Sequence, residues 1–142
     1  MKRILAYIIT FSLLFAIAGC RTSDKEKKEI FSLVTDHYDA IVTACNVEDT
    51  QALSAIDGVE DVDIVDGYVL VYCQDFGLAP ASQNYGFYYA ADAHPAAVWD
   101  GHVLCDTEDL LKDDGGYRYE EDGNFFYTEH IQGNLYYYSA SF

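Results

Sequence analysis

Three of the four Asp-Gly pairs after residue 58 separate short runs of β-branched and aromatic residues. They stand at Asp66-Gly67, Asp100-Gly101 and Asp122-Gly123 in a chain of 142 residues. Asp-Gly favours two-residue hairpin turns, because aspartate tolerates and glycine readily adopts the positive φ that such turns require. Since these turns join neighbouring antiparallel strands, the sequence predicts an antiparallel meander for this part of the chain.

The runs between the turns predict the individual strands. The clearest hairpin joins Val59–Val65 to Tyr68–Cys73, and a loop over Gln74–Gln83 contains both glycine and proline. Residues 107–114 are expected to form a helical turn or an acidic loop. Further strands are predicted at residues 84–90, 96–99, 102–105, 116–121, 124–131 and 135–142.

The segment before the first strand has helical periodicity. Ser23-Asp24-Lys25-Glu26 fits the capping box S-x-x-E, and apolar residues recur at spacings of three and four over residues 30–45. This pattern predicts an amphipathic helix that ends near Asn46. Asp49 is positioned to cap a second short helix, which Asp57-Gly58 would end.

The predicted fold class is therefore α+β, with one or two N-terminal helices packed on an antiparallel sheet of about five to seven strands. Alternation along the last strands puts Tyr117 and Tyr119 on one face, and likewise Tyr136 and Tyr138. If the helices cover one face of the sheet, the other face is expected to be aromatic and partly exposed to solvent.

The first 20 residues predict where the chain is held. Lys2 and Arg3 precede an apolar run from Ile4 to Ile17, which is too short for a helix to span about 30 Å of hydrocarbon and fits an export signal. The following Ala18-Gly19-Cys20 resembles the lipobox of bacterial lipoproteins, whose cysteine is lipidated and becomes the first residue of the mature chain.

This resemblance implies three segments. Residues 1–19 would be a signal peptide that is removed, residues 20–23 a lipidated Cys20 with a short tether, and residues 24–142 a single α+β domain. The mature chain would then be lipid-anchored at the outer, extracytoplasmic face of the cell membrane.

The charge balance narrows the class of partner. Loss of Lys2 and Arg3 from eight basic residues would leave six against 24 acidic ones, a net charge of −18. Such a surface repels nucleic acid and anionic headgroups and attracts cationic partners over long range. The alternative is that the charge serves only solubility.

Three cysteines remain once Cys20 is assigned to lipid, so at most one disulfide can form. A Cys73–Cys105 bridge is one alternative, and buried thiols are the other. The acidic stretch from Glu60 to Asp66 lacks the ligand spacing of an EF-hand and is interpreted as a solvated strand. The sequence predicts no catalytic residue, metal or cofactor.

The C-terminal tyrosines are the candidate binding residues. Their rings suit stacking on sugars or anchoring a protein partner, although sheets also use aromatic pairs for packing. The candidates are Tyr117, Tyr119, Tyr127, Tyr136 and Tyr138.

Two segments carry a family resemblance. Residues 84–89 read N-Y-G-F-Y-Y, and residues 127–138 contain Y-T-E-H-I followed by G-N-L-Y-Y-Y. They resemble a group of small lipoproteins and secreted proteins of Gram-positive gut bacteria, in which a tryptophan often stands at the position of Leu135. The resemblance covers residues 60–142 and implies a shared fold and location, without catalytic residues.

Three functions follow as hypotheses. The first is a membrane-anchored module that binds an extracellular protein or glycan through its aromatic sheet face or the Gln74–Gln83 loop. The second is an accessory cell-envelope hydrolase, and the third is a structural envelope protein with no specific ligand.

Overall fold

The computed structural model describes residues 24–76 and 82–142. The predicted signal peptide, Cys20, the tether with the capping residue Ser23, and the centre of the Gln74–Gln83 loop lie outside these residues. The described chain forms an α+β fold in three layers: N-terminal helices, a seven-stranded antiparallel sheet and a two-stranded hairpin.

Three short helices open the fold: α1 covers residues 24–36, α2 Tyr38–Asn46 and α3 Thr50–Ser54. The helix predicted to reach Asn46 is thus interrupted at His37, although the His37 carbonyl still accepts a hydrogen bond from the Ile41 amide at 2.9 Å. No helix in the described part of the chain is both long and apolar enough to cross a membrane.

The second helix begins as predicted. The Ala52 amide donates to Asp49 Oδ1 at 2.9 Å, so Asp49 satisfies one of the amides that a helix start leaves unpaired.

Nine strands follow in the described part of the chain, and most coincide with the predicted runs. Asp100 and Asp122 adopt φ of 46° and 52°, as two-residue hairpin turns require. Residues 107–114 depart from the prediction, because they include a short strand. The strands are β1 Asp61–Val65, β2 Tyr68–Phe76, β3 Gln83–Ala90, β4 Ala97–Trp99, β5 His102–Cys105, β6 Leu111–Asp113, β7 Gly116–Glu121, β8 Asn124–Gln132 and β9 Leu135–Ser141.

The large sheet has the strand order β1-β2-β3-β9-β8-β7-β6. It therefore consists of two meanders, β1 to β3 and β6 to β9, which are joined by antiparallel pairing of β3 with β9. Strands β4 and β5 leave the sheet between the two meanders and form the separate hairpin.

The helices cover one face of the sheet. Ile30, Val34 and Ile41 are buried against alternate residues of the central strands, including Phe87 and Tyr137. Period-two alternation sends these strand residues to the same side, where the apolar stripe of α1 and α2 meets them. This contact forms the larger part of the core.

The opposite face is also largely buried, which corrects the expectation of a partly exposed aromatic face. The β4–β5 hairpin and the segment before β6 lie over its centre, where Ala97 and Leu110 pack against Tyr88, Phe126 and neighbouring rings. Three side chains there, those of Tyr88, Phe126 and Tyr138, are 0 % exposed.

Tyrosine hydroxyls fix this cover in place. The buried Tyr88 hydroxyl is hydrogen-bonded to the Thr128 hydroxyl at 2.8 Å and accepts from the Ala96 amide at 3.2 Å. The Tyr136 hydroxyl donates to the Ala93 carbonyl at 2.8 Å. The bonds to Ala96 and Ala93 hold the segment that leads into β4 against the sheet.

Tyr88→Phe should therefore lower the free energy of unfolding by about 1–3 kcal/mol, because it leaves buried groups of Thr128 and Ala96 without a partner. Tyr89→Phe is the matched control, since that hydroxyl donates to Asn46 at the exposed surface and should contribute about 0.5 kcal/mol or less. Urea unfolding of both variants measures the difference; equal losses would contradict the burial argument.

Candidate functional site

The five predicted tyrosines do not form one surface. Tyr136 and Tyr138 are buried beneath the hairpin, at 7 % and 0 % exposed. Tyr117 and Tyr119 are half-buried and pack against the same cluster. Tyr127 lies on the opposite, helix-covered face. The prediction of a single exposed tyrosine face is wrong, because the hairpin uses most of that face as core.

Tyr127 belongs to a polar contact beside the start of α1. Its hydroxyl donates to Glu129 Oε2 at 2.7 Å, and Glu129 also forms an ion pair with Lys27. The Lys27 ammonium lies 5.9 Å from the centroids of both the Tyr127 and Tyr137 rings, within range of a cation–π interaction. Partial burial and the Glu129 carboxylate raise the pKa of Tyr127.

A groove of about 390 Å³ opens next to Tyr127, beyond the start of α1; we call it the serine groove. Ser139 and Ser141 form part of its lining, between aromatic side chains of β3 and β8. None of the described residues that line it is charged. Its residues are Gln83, Tyr85, Phe125, Tyr127, Ser139, Ala140 and Ser141.

A second groove, of about 340 Å³, lies on the hairpin side; we call it the acidic groove. It combines four carboxylates with two aromatic rings and two amides. Its residues are Glu60, Asp61, Asp63, Tyr72, Gln74, Asn84, Trp99 and Asp100.

Strand register and one turn bring the carboxylates together. Asp61 pairs with Tyr72 across β1 and β2, and Asp63 is two residues further on the same face. Asp100 is in the Asp-Gly turn between β4 and β5, with φ of 46°. The acidic end of β1 and the hairpin turn therefore border one cavity from opposite sides.

The aromatic wall of the acidic groove is fixed by packing. The Trp99 ring stacks on Phe142 with centroids 4.7 Å apart, and it meets Tyr72 edge-on at 5.6 Å. Both Trp99 and Tyr72 also contact the buried Tyr138 ring, at 6.2 and 6.4 Å. Such edge and stacked pairs stabilise by about 0.5–1.5 kcal/mol each beyond burial, so the wall is preorganised.

The polar atoms of the acidic groove are dominated by acceptors. The Tyr72 hydroxyl donates to Asp63 Oδ2 at 2.9 Å, and burial together with this carboxylate raises the pKa of Tyr72. Gln74 Nε2 donates to Glu29 on α1 at 3.2 Å, while its Oε1 is buried without a partner within the described ranges. The groove thus offers carboxylates and ring faces, which suit a cation or a hydrogen-bond donor.

None of the four groove carboxylates is in an ion pair with a described lysine or arginine. Sequence reasoning took Asp61 and Asp63 for a solvated strand face, and they do face outward there. It missed Trp99, because the packing that brings the hairpin beside β1 is non-local. The only local signal was the shared parity of Asp61, Asp63 and Tyr72 across the Asp66-Gly67 turn.

The three cysteines within the described ranges are not bridged. Cys45, Cys73 and Cys105 are free thiols. Cys73 lies in the core on the helix side of the sheet, whereas Cys105 packs on the hairpin side. The sheet itself separates the two sulfur atoms, which is why the candidate Cys73–Cys105 disulfide is not formed.

Two further arrangements bear on catalysis and metals. His94 Nδ1 lies 3.4 Å from Asp92 Oδ2, but both side chains are exposed in a turn rather than set in a cavity. Over residues 24–76 and 82–142, no group of three or more histidine, cysteine or acidic side chains is arranged to hold a metal ion.

Comparison of the chain with protein-family models, with curated proteins and with solved structures finds no match.

The raised pKa values of buried thiols and tyrosine hydroxyls predict that the protein loses stability at alkaline pH. Burial raises the pKa of the Cys45 and Cys73 thiols to about 12 and raises the pKa of Tyr88 and Tyr138 above the ordinary value. In the unfolded chain these groups lose their protons near their usual pKa values, about 8.5 for cysteine and about 10 for tyrosine. Above those pKa values the unfolded chain releases protons that the folded protein keeps. The free energy of unfolding, which is fully present below about pH 8, should therefore fall as the pH rises further.

Urea unfolding midpoints measured between about pH 8 and pH 11, together with tyrosinate absorbance, would follow this loss. We expect each group to contribute up to about 1.4 kcal/mol per pH unit between its unfolded and folded pKa values. A midpoint that stays constant, with tyrosinate appearing before unfolding, would show that these groups ionise in the folded protein.

Proposed function

We propose that this chain is a membrane-anchored, extracytoplasmic lipoprotein domain that binds a cationic partner in the acidic groove. One observation carries the proposal: Glu60, Asp61, Asp63 and Asp100 converge on a single cavity beside the rings of Trp99 and Tyr72. Carboxylates and aromatic faces both attract ammonium and guanidinium groups, and here they act on the same volume.

Electrostatics supports this choice of partner. Two charges 4 Å apart interact by about 1 kcal/mol in water and by about 4 kcal/mol at the effective dielectric of a protein surface. Four carboxylates, none of them in an ion pair with a described lysine or arginine, therefore make a local attraction for a cation. The net charge of −18 expected for the mature chain adds long-range steering and speeds encounter.

The side chains of the groove also fit what binding sites use. Tryptophan and tyrosine are enriched at the centres of interfaces, where a rigid ring gives a large contact area at little cost in entropy. Trp99 is the one tryptophan in the sequence, and its stacking on Phe142 holds the ring in place before a ligand arrives.

The membrane location rests on the sequence. The basic start, the apolar run and the lipobox-like Ala18-Gly19-Cys20 support export and lipidation. Two or more acyl chains, at about 0.8 kcal/mol per buried CH₂, would hold the domain stably at the bilayer.

A neutral glycan in the serine groove is a second candidate, and the absence of charge there favours it. Aromatic rings beside hydroxyl groups suit the flat faces and hydroxyls of a sugar. This ligand would not use the carboxylates of the acidic groove. Substitutions in one groove or the other therefore distinguish the two candidate functions.

Binding of an oligolysine peptide to the full chain should depend on the aromatic wall and on the carboxylates. Trp99→Ala should weaken the affinity by about 30-fold, the effect of a typical interface hot spot. Asp61→Asn combined with Asp63→Asn should also weaken it and reduce the dependence on salt. Calorimetric titration at two salt concentrations measures both effects.

The matched control is Glu108→Gln combined with Asp109→Asn, which removes the same charge from two exposed residues outside the groove. If both acidic double variants lose affinity equally, the peptide is held by net charge alone and the site is wrong. Binding of a neutral polysaccharide that Phe125→Ala abolishes and Trp99→Ala leaves intact would favour the serine groove instead.

Lipidation is tested in cells that express the full chain. A palmitate analogue should label the wild type and should not label Cys20→Ala, because the acyl chain is carried by that sulfur. Cys105→Ala is the control for labelling at a half-exposed thiol. An unlabelled wild type that remains a full-length precursor would contradict the proposed anchor.

A further inference from the structure

We infer that the cationic partner of the acidic groove is a lysine- or arginine-rich segment of a protein held at the same membrane surface. This inference rests on the proposed function and adds where the partner is and what kind of molecule carries its charge. It follows from the position of the groove relative to the start of α1 and from the number of carboxylates that face it.

The groove and the start of α1 lie at the same end of the sheet. Gln74, which lines the groove, donates to Glu29 at 3.2 Å. Glu29 is five residues after Asp24, about 7.5 Å along the helix axis. Glu29, which contacts Gln74 at this end of the sheet, is therefore only about one and a half helical turns from the point where the chain enters the domain.

Helix α1 runs away from that end. Phe31 contacts the Tyr137 ring at 6.1 Å, and the Tyr38 hydroxyl fills the space beside Gly133 in the β8–β9 turn. The β8–β9 turn lies next to Leu135, where β9 begins. Asn84 of the groove pairs with Ala140, near the end of β9. Five residues of strand, about 17 Å, separate the two ends.

The proposed tether is too short to let the domain turn over. Four residues join Cys20 to Asp24, and even a fully extended chain of that length spans only about 14 Å. The end of the sheet that carries the acidic groove is thus held next to the lipid, and the end with Gly133 points outward.

The charge of the groove favours a basic protein segment. A lipid ammonium group brings one positive charge, whereas four carboxylates line the groove. Several basic side chains in sequence would neutralise more of them, and Trp99 and Tyr72 offer ring faces for a lysine or arginine stem. The acceptor-rich lining matches the donors of both residues.

The test compares two lipid-tailed oligolysine peptides in neutral vesicles that contain the full-length, lipidated protein. One peptide has its lysines directly after the lipid tail, and the other has a Gly-Ser spacer of about 30 residues between them. We expect the wild type to bind the short form at least 10-fold more tightly, because tether and peptide hold both groups at one height above the bilayer.

A variant with about 20 Gly-Ser residues inserted between Ser23 and Asp24 is the matched control. It should lose this preference, since its domain samples a range of heights of roughly 25 Å. Equal affinity of the wild type for both peptides, or preference for the spaced form, would overturn the inference.

A third peptide without a lipid tail separates the two proposals. If the wild type binds it and Trp99→Ala does not, the proposed function stands whatever the spacing result. If neither the tailed nor the free peptide responds to Trp99→Ala, the acidic groove is not the binding site and both proposals fail. Cationic headgroups as ligands would appear as binding to peptide-free vesicles that carry an ammonium lipid, which would also overturn the inference.

Discussion

The packing of Tyr138 across Gly86 is the contact on which the rest of the fold depends. The two residues are directly paired between β9 and β3, where the two meanders join. A Cβ at position 86 would lie 2.0 Å from the Val71 carbonyl oxygen and 2.8 Å from the Tyr138 ring. Only glycine leaves room for that ring, so this position decides whether the halves of the sheet can pair.

Tyr138 in turn packs against the two rings that line the acidic groove. Its ring stacks on Phe126 at 5.4 Å and meets Tyr72 and Trp99 edge-on. The Trp99 side chain is therefore placed by the centre of the sheet rather than by its own short hairpin. A binding wall that is already packed loses little side-chain entropy when a ligand arrives.

The carboxylates of the groove are a cost to the fold. Like charges that converge on one cavity repel one another, and a large net charge weakens the compact state. Packing elsewhere offsets this repulsion, because both faces of the sheet are covered and their large rings are buried. The cationic partner that we propose would neutralise these carboxylates, none of which is in an ion pair with a described lysine or arginine.

Local signals in the sequence predicted much of the fold. The Asp-Gly turns, the Asp49 cap and the parity of the C-terminal tyrosines each depend on a few neighbouring residues, and the structure contains all three. The interruption at His37 and the strand β6 departed from prediction. The residues of β6 are all exposed, and the strand is defined by its pairing with β7 rather than by an alternating apolar pattern. The β3–β9 pairing and the hairpin cover join residues far apart in the chain, so no local pattern contained them.

The same distinction explains the candidate site. Parity predicted correctly that Asp61 and Asp63 share a face of their strand, and that Tyr136 and Tyr138 share a face. It could not predict that a hairpin far away in sequence would bury those tyrosines and bring Trp99 beside the two aspartates. The acidic groove forms where the β4–β5 hairpin packs beside β1 and β2, and no local pattern in the sequence indicates that contact.

The most direct measurement is the NMR signal of the Trp99 indole N–H during titration with oligolysine, since this is the one tryptophan of the chain. Binding in the acidic groove predicts a saturable shift of this signal, with the backbone amides of Asp61 and Asp63 shifting in parallel. Saturation of shifts along the exposed acidic run from Asp106 to Asp114, with the indole signal unmoved, would contradict the account.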